Sequence, residues 1–353
     1  MNRPWPDPPR QARQTPDIVP ALLRAYGDAT ARETERILGN GGAAPFLGDL
    51  VADYPRRGGK RMRPALFIAA ARAHGAALED VLPCAAGIEL FHNALLIHDD
   101  IEDESETRRG RPTLHRLHGI PLALNAGDAL LMMALAPILE TASRMGGRTA
   151  ELILRQTQQM ARETAEGQAL DLGWRSRPTP ELSEADYLTM VLKKTAWLAT
   201  IWPLQLGVLI GTRGAADPDA VARFGFFLGA AFQIQDDLLN FVADAAYGKE
   251  RHGDLFEGKR TLMLIHARRA GNAAERREID AFLARQRHQR SAPEVARISG
   301  IIERHGSRAH ALSVASGLAG AAAHECQRAF GHLPPGDDRA FLEGMVPWVF
   351  ERV

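Results

Sequence analysis

The chain has 353 residues, with 43 Lys or Arg balanced by 43 Asp or Glu, so its formal net charge is zero. That balance excludes a global field drawing in nucleic acid or an anionic bilayer, and leaves any electrostatic function to local clusters. Aromatics are only 6% of residues, and the long aliphatic and Ala-rich stretches lack strand-like alternation, which predicts an all-α protein with a sizeable core.

Residues 1–16, rich in Pro and carrying basic residues but no apolar h-region, read as a disordered leader rather than a secretory signal. Capping and breaking residues then predict a helix that starts after Thr15-Pro16-Asp17 and runs to about Leu38, stopped by Gly39-Asn40-Gly41-Gly42, and another from about Pro64 to His74 after a break over Pro55 to Gly59. A helix over about Glu79–Glu104 ends in an acidic cluster. Beyond Gly110-Arg111-Pro112 another starts near Leu114, followed by one over Asn125–Leu139. Further helices are predicted over Gly147–Leu172, Ser183–Ile210, Pro218–Asp244, Leu255–Ala270, Ala273–Gln286, Ala292–His305, Ser307–Phe330 and Asp337–Arg352, with Gly, Pro or charge at each junction. With no internal repeat and no separating linker, residues 17–353 read as one helical bundle domain.

The apolar run Ala196–Gly211 is interrupted by Pro203 and Gln205 and falls short of the roughly 20 residues needed to cross a bilayer, so it reads as core and no membrane span is expected. Cys84 and Cys326 match no metal or disulfide pattern, which suits a reducing, cytoplasmic setting.

The stretch HDDIEDESETRRGRP, His98–Pro112, holds six acidic residues between Asp99 and Thr107. On a helix Asp99 and Asp103 share a face, flanked by Asp100, and such like charges are reconciled by a bridging cation. Hard oxygen donors with room for water and phosphate suit Mg²⁺. Alone, the run reads more readily as a solvated helix end. A second apolar helix, FQIQDDLLN from Phe232 to Asn240, carries Asp236-Asp237, where unpaired carboxylates would cost several kcal/mol. Facing one another, the two pairs could hold metal ions with a diphosphate between them. Cations for such an anion stand in GGKRMRP (Lys60, Arg63), at Arg108-Arg109, at Lys193-Lys194-Thr195, and in GKERHGDLFEGKRT (Lys249, Lys259, Arg260). Each alone is ordinary loop charge; together they could bind two diphosphates, one through Mg²⁺ and one directly.

These runs together resemble the trans-isoprenyl diphosphate synthases, or polyprenyl synthetases. GGKRMRPAL, ELFHNALLIHDDIEDESETRRGRPTLH, AGDALL, GQALDL, KKTAWL, FQIQDDLLN and GDLFEGKRTL follow that family's order from about Gly58 to Ile265. The resemblance implies the isoprenoid synthase fold, a large helical bundle around a central cavity, usually a homodimer, that transfers an allylic prenyl group to isopentenyl diphosphate and releases pyrophosphate. It implies Asp99, Asp103 and Asp236 as ligands of about three Mg²⁺ ions, supported by Asp100 and Asp237. Arg108, Lys194 and Lys249 would face the allylic diphosphate, Lys60, Arg63, His92 and Arg109 the metal-free isopentenyl diphosphate, and Lys259 would also bind substrate. Lys194, Thr195 and Gln233 would act at the reacting centre, with Gln168 and Asp171 behind them.

Asn240 stands where many relatives have a third aspartate, as it does in some twenty-carbon synthases. Ala94 and Leu95 occupy positions where fifteen-carbon synthases often carry bulky rings, which lowers the cavity floor to Phe91, or else to the helix with Met132 and Met133. That favours geranylgeranyl diphosphate over longer products, although Phe91 reads equally as an ordinary core residue. Two other classes stay open: a class I terpene cyclase, which has no use for a second diphosphate site, and a non-catalytic partner subunit, which tends to lose one aspartate motif.

Overall fold

The computed structural model describes residues 18–39, 45–176, 181–242 and 252–350, and the leader expected over residues 1–16, like Lys249, lies outside them. The helices are α1 (Ile18–Gly39), α2 (Gly48–Arg56), α3 (Met62–Ala73), α4 (Leu78–Glu102), α5 (Leu114–His118), α6 (Ile120–Ser143), α7 (Gly147–Ser176), α8 (Glu184–Val191), α9 (Trp202–Gly211), α10 (Ala222–Val242), α11 (Gly253–Glu257), α12 (Leu262–Ala270), α13 (Ala273–Leu283), α14 (Ala292–Arg304), α15 (Ser307–Phe330) and α16 (Asp337–Phe350). Strand appears, among the described residues, only as a two-residue antiparallel pair, β1 (Thr107–Arg108) with β2 (Arg111–Pro112), so the all-α expectation holds.

Three elements depart from the sequence reading. Pro55, read as a breaker, lies inside α2, an amphipathic helix that buries Leu50, Val51 and Tyr54; burial outweighs local propensity there. The single helix expected over Ser183–Ile210 is divided into α8, a π-helical stretch Leu192–Ile201, and α9. The helix expected over Leu255–Ala270 is broken between α11 and α12 by Gly258, whose φ of 74° is left-handed. A Cβ on Gly258 would also overlap the Arg290 guanidinium, which donates to the carbonyls of Phe256 and Arg285 at 2.5 Å each. Glycine is therefore required on two counts, and the turn it permits presents Lys259 and Arg260.

Apolar side chains gather in two clusters. One joins α1–α4, α6, α9 and α16; the other joins α8 and α10–α14. Helix α10 belongs to both, through Phe224 and Leu228 on one side and Ile234 and Leu238 on the other. A cavity opens where they meet, between α4, α7, the π segment and α10. Among the described residues, α4 and α6 are long and apolar enough to cross a membrane; 67% of that stretch is buried in α4 but only 39% in α6, which keeps an apolar outer face. The run Ala196–Gly211, by contrast, is core as expected, with Trp202, Leu204, Leu206 and Leu209 fully buried.

Helix α7 can approach the π segment only because residue 167 is glycine. A Cβ there would overlap the Lys194 backbone, and the nearest atoms are main chain that cannot rotate aside. Gly167→Ala is expected to lower stability by about 1–3 kcal/mol through overpacking. Equilibrium denaturant unfolding checks this, and an unchanged midpoint would mean that the two elements can part without cost.

Candidate active site

The cavity has a volume of about 980 Å³. Its inner end is apolar, with Phe91 and Leu95 from α4, Leu131 from α6, and Leu198 and Phe232 from the opposite side. Carboxylates crowd its outer part because α4 and α10 both turn acidic where they reach it.

On the first acidic wall, Asp103 closes α4, its backbone N–H donating to the Asp99 carbonyl at 2.8 Å. The Asp103 side chain is 1% exposed and is met by Arg175 Nη2 at 2.6 Å and Lys259 Nζ at 3.2 Å. Asp99 is met by Lys194 Nζ and by Gln168 Nε2, each at 3.3 Å. Burial disfavours the Asp99 anion, but Lys194, Lys259 and Arg108 outweigh it and hold its pKa below the ordinary carboxylate value. Asp103 goes the other way, raised by burial and then by the Asp99 charge.

Asp100 corrects its expected place as a flanking metal carboxylate. It is fully buried and is not among the residues that line the cavity, held by the Tyr54 hydroxyl at 2.5 Å and by Arg108 Nε at 3.0 and 3.1 Å to its two oxygens. Arg108 does line the cavity, with Nη2 3.8 Å from Asp99. Glu102 also lines the mouth and accepts from Gln168 Nε2.

On the second wall, Asp236 and Asp237 line the cavity from α10. A chain of hydrogen bonds crosses between elements: Thr195 Oγ1 donates to Gln233 Oε1 at 2.8 Å, Gln233 Nε2 to Asp237 at 2.7 Å, and the Tyr187 hydroxyl to Asp237 at 2.8 Å. Burial, then the nearby Asp254 charge, pushes the Asp237 pKa up to about 8. Asn240 accepts the Asp254 backbone N–H on Oδ1 at 3.1 Å, so it anchors the start of α11 and with it the Asp254 carboxylate at the cavity.

The cations separate cleanly. Lys194 reaches Asp171 at 2.6 Å inside the cavity, whereas adjacent Lys193 points out to Glu163 and Glu166 at 2.7 and 2.6 Å. At another edge of the cavity, Arg63 Nη1 donates to His92 Nε2 at 3.2 Å; burial and the Arg63 charge keep the His92 pKa well below its ordinary value, so the imidazole is a neutral acceptor. Lys60 and Arg109 do not line the cavity: Lys60 is exposed, and Arg109 Nη1 donates to the Tyr54 carbonyl at 3.1 Å.

The expected floor needs correction as well. Ala94 is fully buried away from the cavity, while Leu95 and Phe91 line it. The Phe91 ring is backed by the buried Trp202 indole, with centroids 5.7 Å apart. Met132 is 68% exposed and Met133 packs against the core; Leu131 is the residue of α6 that faces the cavity.

Sequence reasoning missed Arg175, Tyr54, Tyr187, Asp254 and Glu257. Arg175 stands one turn beyond Asp171 on α7 and lies 3.7 Å from it, so its spacing was a usable signal. Buried tyrosines that need a partner for their hydroxyl were another.

All the candidate donors are carboxylate or amide oxygens, the set a hard dication prefers. Among the described residues no three His, Cys, Asp or Glu side chains come close enough to hold an ion by themselves. Carboxylates on facing walls, with cations between them, fit Mg²⁺ held by one or two carboxylates and completed by substrate phosphate and water. Asp99, Asp103 and Asp236 are the residues that would hold it.

Residues 45–299 match the polyprenyl synthetase family model. A geranylgeranyl pyrophosphate synthase of Geoglobus acetivorans is 39% identical over 217 residues, 61% of this chain and 66% of that protein. A short chain isoprenyl diphosphate synthase of Methanothermobacter thermautotrophicus is 35% identical over 261 residues, 73% of this chain and 77% of that protein. The fold matches the polyprenyl synthase of Caulobacter crescentus, solved with calcium and isoprenyl diphosphate, with a TM-score of 0.83 and 27% identity over 98% of this chain and 99% of that one. With the model spanning both acidic walls and the cation set between them, the chain belongs to the polyprenyl synthetase family.

Proposed function

We propose that this protein is a prenyltransferase that joins isopentenyl diphosphate head to tail with an allylic diphosphate, releases pyrophosphate, and makes geranylgeranyl diphosphate. One observation carries the reading: a single cavity combines two acidic walls, a separate Arg63–His92 pair, and an apolar end closed by Phe91. The second anion subsite argues against a terpene cyclase, and the presence of both aspartate pairs argues against a non-catalytic subunit.

When bound, Mg²⁺ supplies positive charge to the departing pyrophosphate. Lys194, Lys259 and Arg108 hold the allylic diphosphate and stabilise the negative charge that grows on it as the allylic carbon–oxygen bond breaks. Arg63, with His92 behind it, holds isopentenyl diphosphate directly through charge-assisted hydrogen bonds. The oxygens of Thr195 and Gln233, fixed by the chain that ends on Asp237, turn their negative ends towards the allylic carbon. Leu95, Leu198 and Phe232 exclude water from that carbon. The double bond of isopentenyl diphosphate then forms the new carbon–carbon bond, and the released pyrophosphate takes the proton lost beside it.

Both cores share α10, which supports one domain over residues 17–353. The free, buried Cys84 and Cys326 support the cytoplasmic setting. A homodimer through α6 is supported by Ile120, Leu124, Met132 and Leu139, which are 55%, 46%, 68% and 46% exposed on that helix.

Three measurements test this reading. Purified protein with Mg²⁺, isopentenyl diphosphate and a five-, ten- or fifteen-carbon allylic diphosphate is expected to yield mainly the twenty-carbon product, with activity lost on chelation and cut on the order of 100-fold or more in Asp236→Ala. No condensation with any primer would refute the assignment. Phe91→Ala should lengthen the product distribution seen by mass spectrometry, because it opens the floor onto Trp202; unchanged lengths would place the stop elsewhere. Light scattering should give twice the chain mass for the parent and the single-chain mass for Met132→Arg, whereas a dimer that survives this charge would move the interface off α6.

A further inference from the structure

On the other side of the α11–α12 turn lies a second cavity of about 460 Å³. Four arginines line it: Arg260 before α12, Arg268 and Arg269 at the end of α12, and Arg276 on α13. The acidic counterweight is small. Arg268 pairs with Asp280 at 2.7 Å and with Glu181 at 3.8 Å, and Arg276 donates to the Gly271 carbonyl at 2.9 Å. Among the described residues, neither Arg269 nor Arg276 makes an ion pair. Leu182, Leu264, Ile265 and Leu283 complete the wall, so a cationic rim stands over an apolar floor.

Arg260 lines both this cavity and the catalytic one. It is 3% exposed, donates to the Trp174 carbonyl at the end of α7 at 3.0 Å, and adjoins Lys259, which meets Asp103. Arg260 is thus the point at which the second cavity adjoins the turn that carries Lys259.

We propose that this second cavity binds a diphosphate group, free or carrying a prenyl tail, and regulates the catalytic site through Arg260. The proposal rests on the prenyl transfer reading for its ligand class, but not for the existence of the site. Guanidinium pairs suit the bidentate oxygens of a diphosphate, and the apolar floor suits the first units of a prenyl chain. Nothing covalent is required; the ligand shifts the position of the turn.

The test compares the full chain with Arg269→Glu and with Arg269→Glu/Arg276→Glu, residues outside the catalytic cavity. Calorimetry without metal uses inorganic pyrophosphate and geranylgeranyl diphosphate as probes. The parent is expected to show one binding event beyond those of the double variant, weakened roughly tenfold or more by the single charge reversal. An event with both probes means the head group suffices, and an event with geranylgeranyl diphosphate alone means the apolar floor is read too; either supports the site. Identical isotherms for parent and variants, with matching thermal unfolding, overturn it. In turnover assays, added geranylgeranyl diphosphate should lower kcat in the parent but not in the double variant, whose basal kcat is unchanged; equal loss in both overturns the regulatory role. A chain that condenses no substrate would defeat the proposed activity while leaving the binding difference to decide the site.

Discussion

Negative charge that would repel itself is the constraint on which the site is organised. Asp99, Asp103, Asp236, Asp237, Asp254 and Glu257 all face one cavity, and a buried carboxylate without a partner would cost several kcal/mol. The chain answers by sending cations from four surrounding elements: Arg108 from the hairpin, Arg175 from α7, Lys194 from the π segment and Lys259 from the turn after α11. The resting site is thus a lattice of ion pairs in which four cations only partly offset six carboxylates. Exchange of partners between these groups and an incoming metal–diphosphate is consistent with that arrangement, since the same lysines can pair with phosphate once dications take the carboxylates.

That lattice depends on backbone features which look unfavourable in isolation. A π-helical stretch is rarely adopted, yet it is the arrangement in which Lys194 and Thr195 lie on the cavity while Lys193 pairs outside. The left-handed Gly258 interrupts a helix, yet the interruption puts Lys259 beside Asp103. Both are held by packing: α7 lies against the π segment across Gly167, and Arg290 fills the space beside Gly258. The rarely adopted π geometry is tolerated because neighbouring contacts hold it, whereas the left-handed turn costs glycine nothing sterically.

Much of the site could be read in advance from charge pattern alone. The spacing of Asp99 and Asp103, the apolar setting of Asp236-Asp237, and the arginines after the first cluster all pointed to a charged, metal-assisted site. Other details could not be read. Asp100 and Asp99 are adjacent, and nothing in the residue types says that one faces Arg108 and Tyr54 while the other faces the cavity. The same holds for Ala94 against Leu95, and for Lys193 against Lys194. Which of two neighbours turns inward depends on the rotation of each helix against its neighbours, a sum of many small packing terms.

The sequence by itself determined the helical class, the donor chemistry and the order of the motifs, because these follow from residue type, local spacing and periodicity. Only the tertiary structure decided which acids are available to a ligand, where helices break, and that Arg260 joins the catalytic cavity to a second basic one. Those outcomes hinge on contacts between residues far apart in the chain, such as Arg175 with Asp103 or Tyr54 with Asp100, and such contacts leave no periodic trace in the sequence.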